Sequence, residues 1–400
     1  MLLAEIIGVG TELIYGETFD SNTAEIARSL RGYGLEITRT LRFADELPAL
    51  SGQLKESLSR CRLIVLSGGL GPTPDDITRE AIAEALCEPM EPDPSMVQAI
   101  QARFASMGRQ MHESNLKQAM KIPSASWLEN PRGTAPGWWV HKENLDIVAL
   151  PGPPAEWRPM WEELLPKLLL PAKNYRQKSF KTYGLGESQI VQVLGGFFWR
   201  QGPAEVGTYA KSHGVDVVIR GEPQAVSQLA DSIRPLIAAN IWGEDADTPQ
   251  GLLVARLAKA GQTLATAESL SGGMLGSLLT QVPGASQVYL GGMVCYTREA
   301  KAFLGVPQGV LEKGTVSPEC AQAMAEAAAR GLGATYALAT TGVAGPEELE
   351  GQPVGTVYIG FAGPSLGGAK RFRFPASTRE LVRERASYAA LTLLLAGLVP

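Results

Sequence analysis

At 400 residues the chain is too long for one small hydrophobic core, and two or three domains are expected. With 45% hydrophobic and 19% charged residues it reads as a soluble globular protein rather than a disordered one. Its net charge of -5 argues against nucleic-acid binding through bulk positive charge, while leaving a local basic patch open.

The first 170 residues alternate short apolar runs with helical patterns. "LAEIIGVG" reads as a strand. "SNTAEIARSLRGYG" reads as a helix that Ser21 can cap and Gly34 can end. "LEITRTLRF" is a strand, "LPALSGQLKESLSRC" a helix, and "RLIVLSGG" a buried strand running into glycines. "LDIVALPGPPAEW" repeats the strand-then-turn pattern, and a helix follows to about Leu170. Such alternation predicts a mostly parallel sheet with helices on both faces and ligands at the carboxyl ends of its strands. A boundary is expected near Pro171. "KTYGLGESQIVQVLGGF", the paired runs "AEVGTYAKSHG" and "VDVVIRGE", and "QAVSQLADSIRPLIAANI" form a small α+β module over 171–248. A second α/β domain over 249–400 begins with the helix "LLVARLAKAG" and the strand "QTLATAES". It continues through "SGGMLGSLLTQV", "VYLGGMVCY", "TREAKAFLG" and "SPECAQAMAEAAARGLG". The last has Ser317 as its cap and Pro318 at its first position. "TYALATTGVAG", "VGTVYIGFAG" and "AKRFRFPA" are strands, and "TRELVRERASYAALTLLLAG" closes the chain. No repeat relates the two α/β halves.

The four cysteines, Cys61, Cys87, Cys295 and Cys320, show no CxxC spacing, so reduced thiols are expected rather than a zinc site or disulfides. The first residues carry no basic leader, and "AALTLLLAGLVP" is too short to span a bilayer. A cytoplasmic protein without a membrane anchor is the expectation.

In "LSGGLGPTPDDITRE", Gly68, Gly69 and Gly71 let backbone amides approach an anion, and the following helix adds its positive N-terminus. Asp75 and Asp76 stand at the helix start. One aspartate would merely cap the helix. Two beside a phosphate cradle suit a metal-assisted phosphoryl site, where a divalent cation bridges carboxylates and pyrophosphate. No GKS or GKT follows, so the loop is not a Walker motif.

"GVGTELIYGETFDSN", "SGGLGPTPDDIT", "NPRGTAPGW" and "LPGPPAEW" together resemble the molybdopterin-binding-type domain of the CinA (competence/damage-inducible protein A) family. The resemblance covers residues 1–170. It implies a fold shared with molybdenum-cofactor biosynthesis proteins and an ADP-ribose pyrophosphatase activity. It also implies that Glu12, Asp20 and Asn22 line the nucleotide site and that Gly68, Gly69 and Gly71 hold phosphate. Asp75 and Asp76 would act on a divalent metal or water, and Gly133, Thr134 and Glu156 would close the pocket. Asn115 and Lys117 either reach the ligand or lie on a solvated helix face. No Nudix-type run of glutamates is visible.

"ATAESLSGG" sets Ser269 and Ser271 at a strand-to-helix junction. The only histidines, His112, His141 and His213, precede this domain, so an attacking serine has no histidine base within it. Its lysines are Lys259, Lys301, Lys313 and Lys370. With Thr297 as cap, Lys301 would sit by the first turn of a short helix, where burial and the helix field lower its pKa. It is then either a base for serine or a surface lysine on an amphipathic turn.

"ATAESLSGG", "YTREAK", "ATTGVAGP", "PVGTVYIGF" and "RELVR" resemble the CinA C-terminal domain, whose stand-alone relatives are nicotinamide-nucleotide amidases. Leu270 and Ser271 replace the family's frequent Cys-Thr. The resemblance implies hydrolysis of nicotinamide mononucleotide (NMN) to nicotinic acid mononucleotide and ammonia. Ser269 would attack the carboxamide, with Lys301 as base, acting directly or through Tyr296. Amides near Gly272 and Gly273 would hold the oxyanion, and Ser271 would cap the helix. Arg383 and the turn Thr341, Gly342 to Gly345 would hold the phosphate. Arg379 and Arg385 read as a solvated face. The middle module resembles the family's KH-like linker and lacks a GxxG clamp with basic flanks, so spacing and homodimer geometry are its expected roles. Two rivals stand beside this reading: a molybdopterin-processing nucleotidyltransferase, and a non-enzymatic competence or DNA-recombination partner.

Overall fold

The computed structural model describes residues 2–31, 33, 35–168, 170, 175–198, 202–364, 366–375 and 378–398. The expected helix end at Gly34 and the boundary at Pro171 lie outside these residues. The chain divides into two compact units, Met1–Tyr175 and Arg176–Pro400.

In the first unit, Leu2–Val9, Leu35–Phe43, Cys61–Ser67 and Leu145–Leu150 form the parallel part of a six-stranded sheet. Gly137–Lys142 and then Ala125–Leu128 extend it through antiparallel pairings, so the sheet is mixed but mostly parallel. Two apolar layers cover its faces. One contains Ile7, Ile64, Leu66 and the helix Thr78–Leu86; the other contains Ile6, Val65, Val148 and the helix Pro154–Leu164. Buried central strands thus read as near-continuous apolar runs, as "RLIVLSGG" does. The helix Asn22–Leu30 is not capped by the side chain of Ser21. Asp20 takes that part, accepting from Thr23 N at 3.1 Å and Thr23 Oγ1 at 2.7 Å. A carboxylate at a helix N-terminus gains from both the free amides and the dipole.

The second unit opens with the antiparallel sheet of Arg176–Thr182, Ala204–Lys211, Gly214–Gly221 and Ile241–Glu244. Its last strand was not legible in the sequence, being four residues of which only Gly243 is buried. Helices Glu187–Leu194 and Pro223–Ile237 cover one face through Ile190, Leu194, Val226 and Ile233. A five-stranded sheet follows, in the order Tyr289–Val294, Leu264–Glu268, Tyr336–Gly342, Thr356–Gly363, Leu366–Arg373. The first three strands are parallel, and Thr356–Gly363 runs antiparallel to both of its neighbours, Tyr336–Gly342 and Leu366–Arg373. Helices Pro249–Lys259 and Arg379–Gly397 pack on one face and Pro318–Leu332 on the other. Ser317 caps its helix by accepting from Cys320 N at 3.1 Å, and Thr297 caps Arg298–Leu304 by accepting from Ala300 N at 3.2 Å. No helix among the described residues is long and apolar enough to cross a membrane.

Candidate active sites

In the second unit the interior strand Leu264–Glu268 delivers Ser269 to its carboxyl end, where Ser269 N donates to Thr340 O at 2.9 Å on the neighbouring strand. Lys301, the fourth residue of Arg298–Leu304, turns inward and is 2% exposed. Its Nζ lies 2.9 Å from Ser269 Oγ, 3.1 Å from Cys295 O and 3.4 Å from Tyr296 O. A neutral amine has two N–H groups and one lone pair. Two carbonyls and one hydroxyl suit that set when the hydroxyl donates, and equally suit an ammonium that donates to all three. Burial is the main cause holding Lys301 below the usual lysine range, against the opposing effect of Cys320, Cys295 and Glu350. Burial also pushes Cys295 up and Cys320 up to about 11, so both thiols stay protonated at neutral pH.

The serine and lysine face a cavity of about 320 Å³, within the range of small-molecule sites. Thr341, Gly342 and Gly345 line it, as do Tyr296, Leu270, Thr315 and Arg379. Arg379 donates to Gly345 O and to Tyr296 Oη. Arg383 instead donates to Ser271 O at 3.0 Å and does not line the cavity. The cavity arginine is therefore Arg379, which the sequence had placed on a solvated face, and Arg383 braces the turn. Tyr296 is not needed as a relay between Lys301 and Ser269, because the two touch directly.

Glu268 was missed. Its carboxylate is 2% exposed and accepts from Ser271 Oγ at 2.7 Å, Gly273 N at 2.9 Å, Leu275 N at 3.0 Å and Gly276 N at 2.8 Å. The helix Met274–Thr280 is thus capped by Glu268, not by Ser271, whose hydroxyl donates to that carboxylate. This also removes Gly273 N from any oxyanion role, and Gly272 N is engaged by Ser269 O at 3.2 Å. The amides of Leu270 and Ser271 have no partner among the described residues. An acidic residue just before a glycine turn that opens a helix was the available signal. Glu347 and Glu348 also line the cavity and were not anticipated. Its far wall is held by Glu350, whose carboxylate accepts from Thr315 N at 2.7 Å and Val316 N at 2.9 Å.

In the first unit the glycine loop follows Ser67. Gly68 has φ of +108°, and a Cβ there would stand 2.1 Å from Val9 O, so only glycine fits. Asn22 Nδ2 donates to Ser67 Oγ at 2.9 Å and Gly152 O at 2.7 Å, joining three expected segments at one sheet edge. Asp20 stands there too, paired with Arg42 at 3.5 Å. Glu12 is exposed on the short helix Thr11–Ile14. Asn130 links Gly133 and Glu156, accepting from Gly133 N at 2.7 Å and donating to Glu156 Oε2 at 2.6 Å. Gly133 and Thr134 open instead on a cavity shared with Ile100 and Arg103.

Asp75 and Asp76 converge on one hydroxyl, Thr73 Oγ1. Asp76 accepts from Gly71 N at 2.8 Å through Oδ1, and from Thr73 N at 2.9 Å and Thr73 Oγ1 at 2.5 Å through Oδ2. Asp75 is exposed and is held below the ordinary carboxylate range by a bond from Thr73 Oγ1. Among the described residues no group of three or more His, Cys, Asp or Glu is placed to hold a metal ion. Two carboxylates alone would leave ligand and water oxygens to complete the shell of a divalent cation. Asn115 and Lys117 are not on a solvated helix face: Asn115 is buried and bonded to Gln118, and Lys117 reaches Thr73 O at 3.1 Å and Glu80 at 3.1 Å.

Comparison with known proteins accounts for nearly the whole chain. Residues 5–170 match the "Probable molybdopterin binding domain", 177–243 the "Damage-inducible protein CinA KH domain" and 247–398 the "CinA C-terminal domain". A CinA-like protein of Deinococcus deserti is 40% identical over 98% of this chain and 97% of its own. A CinA-like protein of Deinococcus radiodurans is 39% identical over 100% of this chain and 98% of its own. The crystal structure of a competence-damaged protein (CinA) superfamily protein from Escherichia coli is 36% identical, covering 38% of this chain and 92% of that one, with a TM-score of 0.37. The motifs, the domain order and the full-length relatives agree: the chain belongs to the CinA family, with a molybdopterin-binding-type domain, a KH-like module and a CinA C-terminal domain.

Proposed function

We propose that the C-terminal domain is a serine–lysine amidase that converts NMN to nicotinic acid mononucleotide and ammonia. The observation that carries the reading is the buried Lys301 Nζ, 2.9 Å from Ser269 Oγ at the mouth of a cavity. Neutral Lys301 takes the hydroxyl proton as Ser269 Oγ bonds to the carboxamide carbon. The lysine then gives that proton to the amide nitrogen as the C–N bond breaks and ammonia leaves. A water attacks the acyl-enzyme, losing its proton to Lys301, which returns it to Ser269 Oγ as the ester bond breaks. The oxyanion is assigned to the amides of Leu270 and Ser271. Arg379 is assigned to the substrate phosphate. Ammonia release from NMN by the full chain and by Ser269→Ala tests this reading; equal rates in both would sink it.

We further propose that the N-terminal domain binds ADP-ribose through its pyrophosphate at Gly68–Gly71 and hydrolyses it. Gly68 N donates to Leu150 O at 2.9 Å and Gly71 N to Asp76 Oδ1 at 2.8 Å, so the support for the anion site is the amides of Gly69 and Leu70, which have no partner among the described residues, together with the adjoining helix N-terminus. No step is assigned to a metal. ADP-ribose turnover, with and without divalent cation and chelator, tests it. Binding of molybdopterin without such turnover would favour a nucleotidyltransferase. The reading includes a homodimer, supported by exposed Leu290, Val294 and Phe303 on and beside the sheet-edge strand Tyr289–Val294. A monomeric mass by light scattering would remove it.

A further inference from the structure

Arg79, second in the helix Thr78–Leu86, is 1% exposed. Its Nη1 donates to Leu70 O at 3.0 Å and its Nη2 to Pro136 O at 2.7 Å. Nε is buried without a partner, and the guanidinium carbon lies 5.9 Å from the centre of the Trp138 ring. Burial lowers its pKa to about 10, which still leaves it charged at neutral pH.

A cation removed from water is costly unless a counter-charge compensates it. No carboxylate makes an ion pair with Arg79 among the described residues. The carboxylates acting on it, Glu80 and Asp76, have other partners: Glu80 pairs with Lys117 at 3.1 Å, and Asp76 takes the amides of Gly71 and Thr73. Leu70 lies between Gly69 and Gly71, and Pro136 closely follows Gly133 and Thr134. The guanidinium therefore sits beneath the seam between two glycine-bearing loops. Around that seam Asp75, Asp76 and Glu80 stand against Arg79 and Lys117. Without Arg79 those carboxylates would repel an anion, and the amides of a nine-residue helix alone would have to overcome them.

We infer that Arg79 is the buried counter-charge for a phosphate or pyrophosphate group held at Gly68–Gly71, acting as a positioning residue through the Leu70 carbonyl and through its field. The inference rests on the anion-binding part of the proposed N-terminal reading. Calorimetric titration of the full chain with inorganic pyrophosphate at low salt tests it. Wild type should bind. Arg79→Lys, which keeps the charge, should stay within about threefold. Arg79→Gln, which keeps donors but not charge, should bind roughly tenfold more weakly, with the gap shrinking as salt rises. Arg79→His, whose charge pH can switch, should bind pyrophosphate more tightly at about pH 5.5 than at about pH 8 by more than wild type does, a result that a merely structural Arg79 does not produce and that stands even if Arg79→Gln fails to fold. Equal affinity in wild type and Arg79→Gln, or a gap that does not shrink as salt rises, would overturn the inference. Wild type that binds no pyrophosphate would overturn the anion site as well. Binding without ADP-ribose turnover would remove only the hydrolase reading.

Discussion

Lys301 Nζ and Ser269 Oγ meet at 2.9 Å although each comes from a different connection of the sheet. Ser269 ends one strand, and Lys301 belongs to the helix after the adjacent parallel strand. The register of two parallel strands brings base and nucleophile together. Replacing Ser269 by Ala, or Lys301 by Met, is expected to lower kcat for NMN deamidation by at least about a thousandfold with the fold intact. Ammonia release and circular dichroism check this.

The pH dependence follows from Lys301. Its pKa is lower folded than unfolded, mainly through burial, with Glu350, Cys295 and Cys320 opposing the shift. Amidase activity should therefore rise with pH along a limb lying below lysine's ordinary 10.5. Stability carries the same sign. Between the folded and unfolded values the unfolded chain holds the extra proton, so this group's contribution to stability grows as pH rises toward 10.5. Lys301→Met should flatten that part of the stability profile, measured by urea unfolding across pH.

Glu268 satisfies three amides and one hydroxyl at the turn that follows the nucleophile. Glu268→Gln sets an NH₂ group against N–H donors. Unfolding stability should fall by about 2–3 kcal/mol, and kcat should fall because the amides of Leu270 and Ser271 shift. Unchanged kcat in a destabilised protein would assign Glu268 to the fold alone.

Two arginines on one helix should separate cleanly. Arg379→Ala is expected to raise KM for NMN roughly tenfold with little effect on KM for a substrate lacking the phosphate. Arg383→Ala should instead lower thermal stability through the lost bond to Ser271 O, with KM nearly unchanged. Steady-state kinetics with NMN and its dephosphorylated riboside distinguish them.

Gly68→Ala tests the glycine loop. The positive φ and the Val9 carbonyl 2.1 Å from the added Cβ are expected to cost about 3 kcal/mol or more. Denaturant titration of the variant measures it.

The alternation of apolar runs and turn residues was enough to read most of the elements, including the side-chain caps at Thr297 and Ser317, though not the caps expected at Ser21 and Ser271. These are local signals: burial of a central strand and capping of a helix depend on neighbours a few residues away. The strand Ile241–Glu244 escaped because four half-buried residues carry no period.

The sequence by itself determined the domain order, the family, the glycine-rich edges and the absence of a histidine base near Ser269. It could not decide which donors each carboxylate and amide already had. Ser271 and Glu268 are both plausible caps when read along the chain, and only the three-dimensional path shows the carboxylate reaching four donors first. Arg379 and Arg383 lie one helical turn apart, and their different partners follow from how that helix crosses the sheet edge. Hydrogen-bond satisfaction is a property of the assembled site, so the tertiary structure assigned those roles: an amide or carboxylate already bonded within the protein is not free for a ligand.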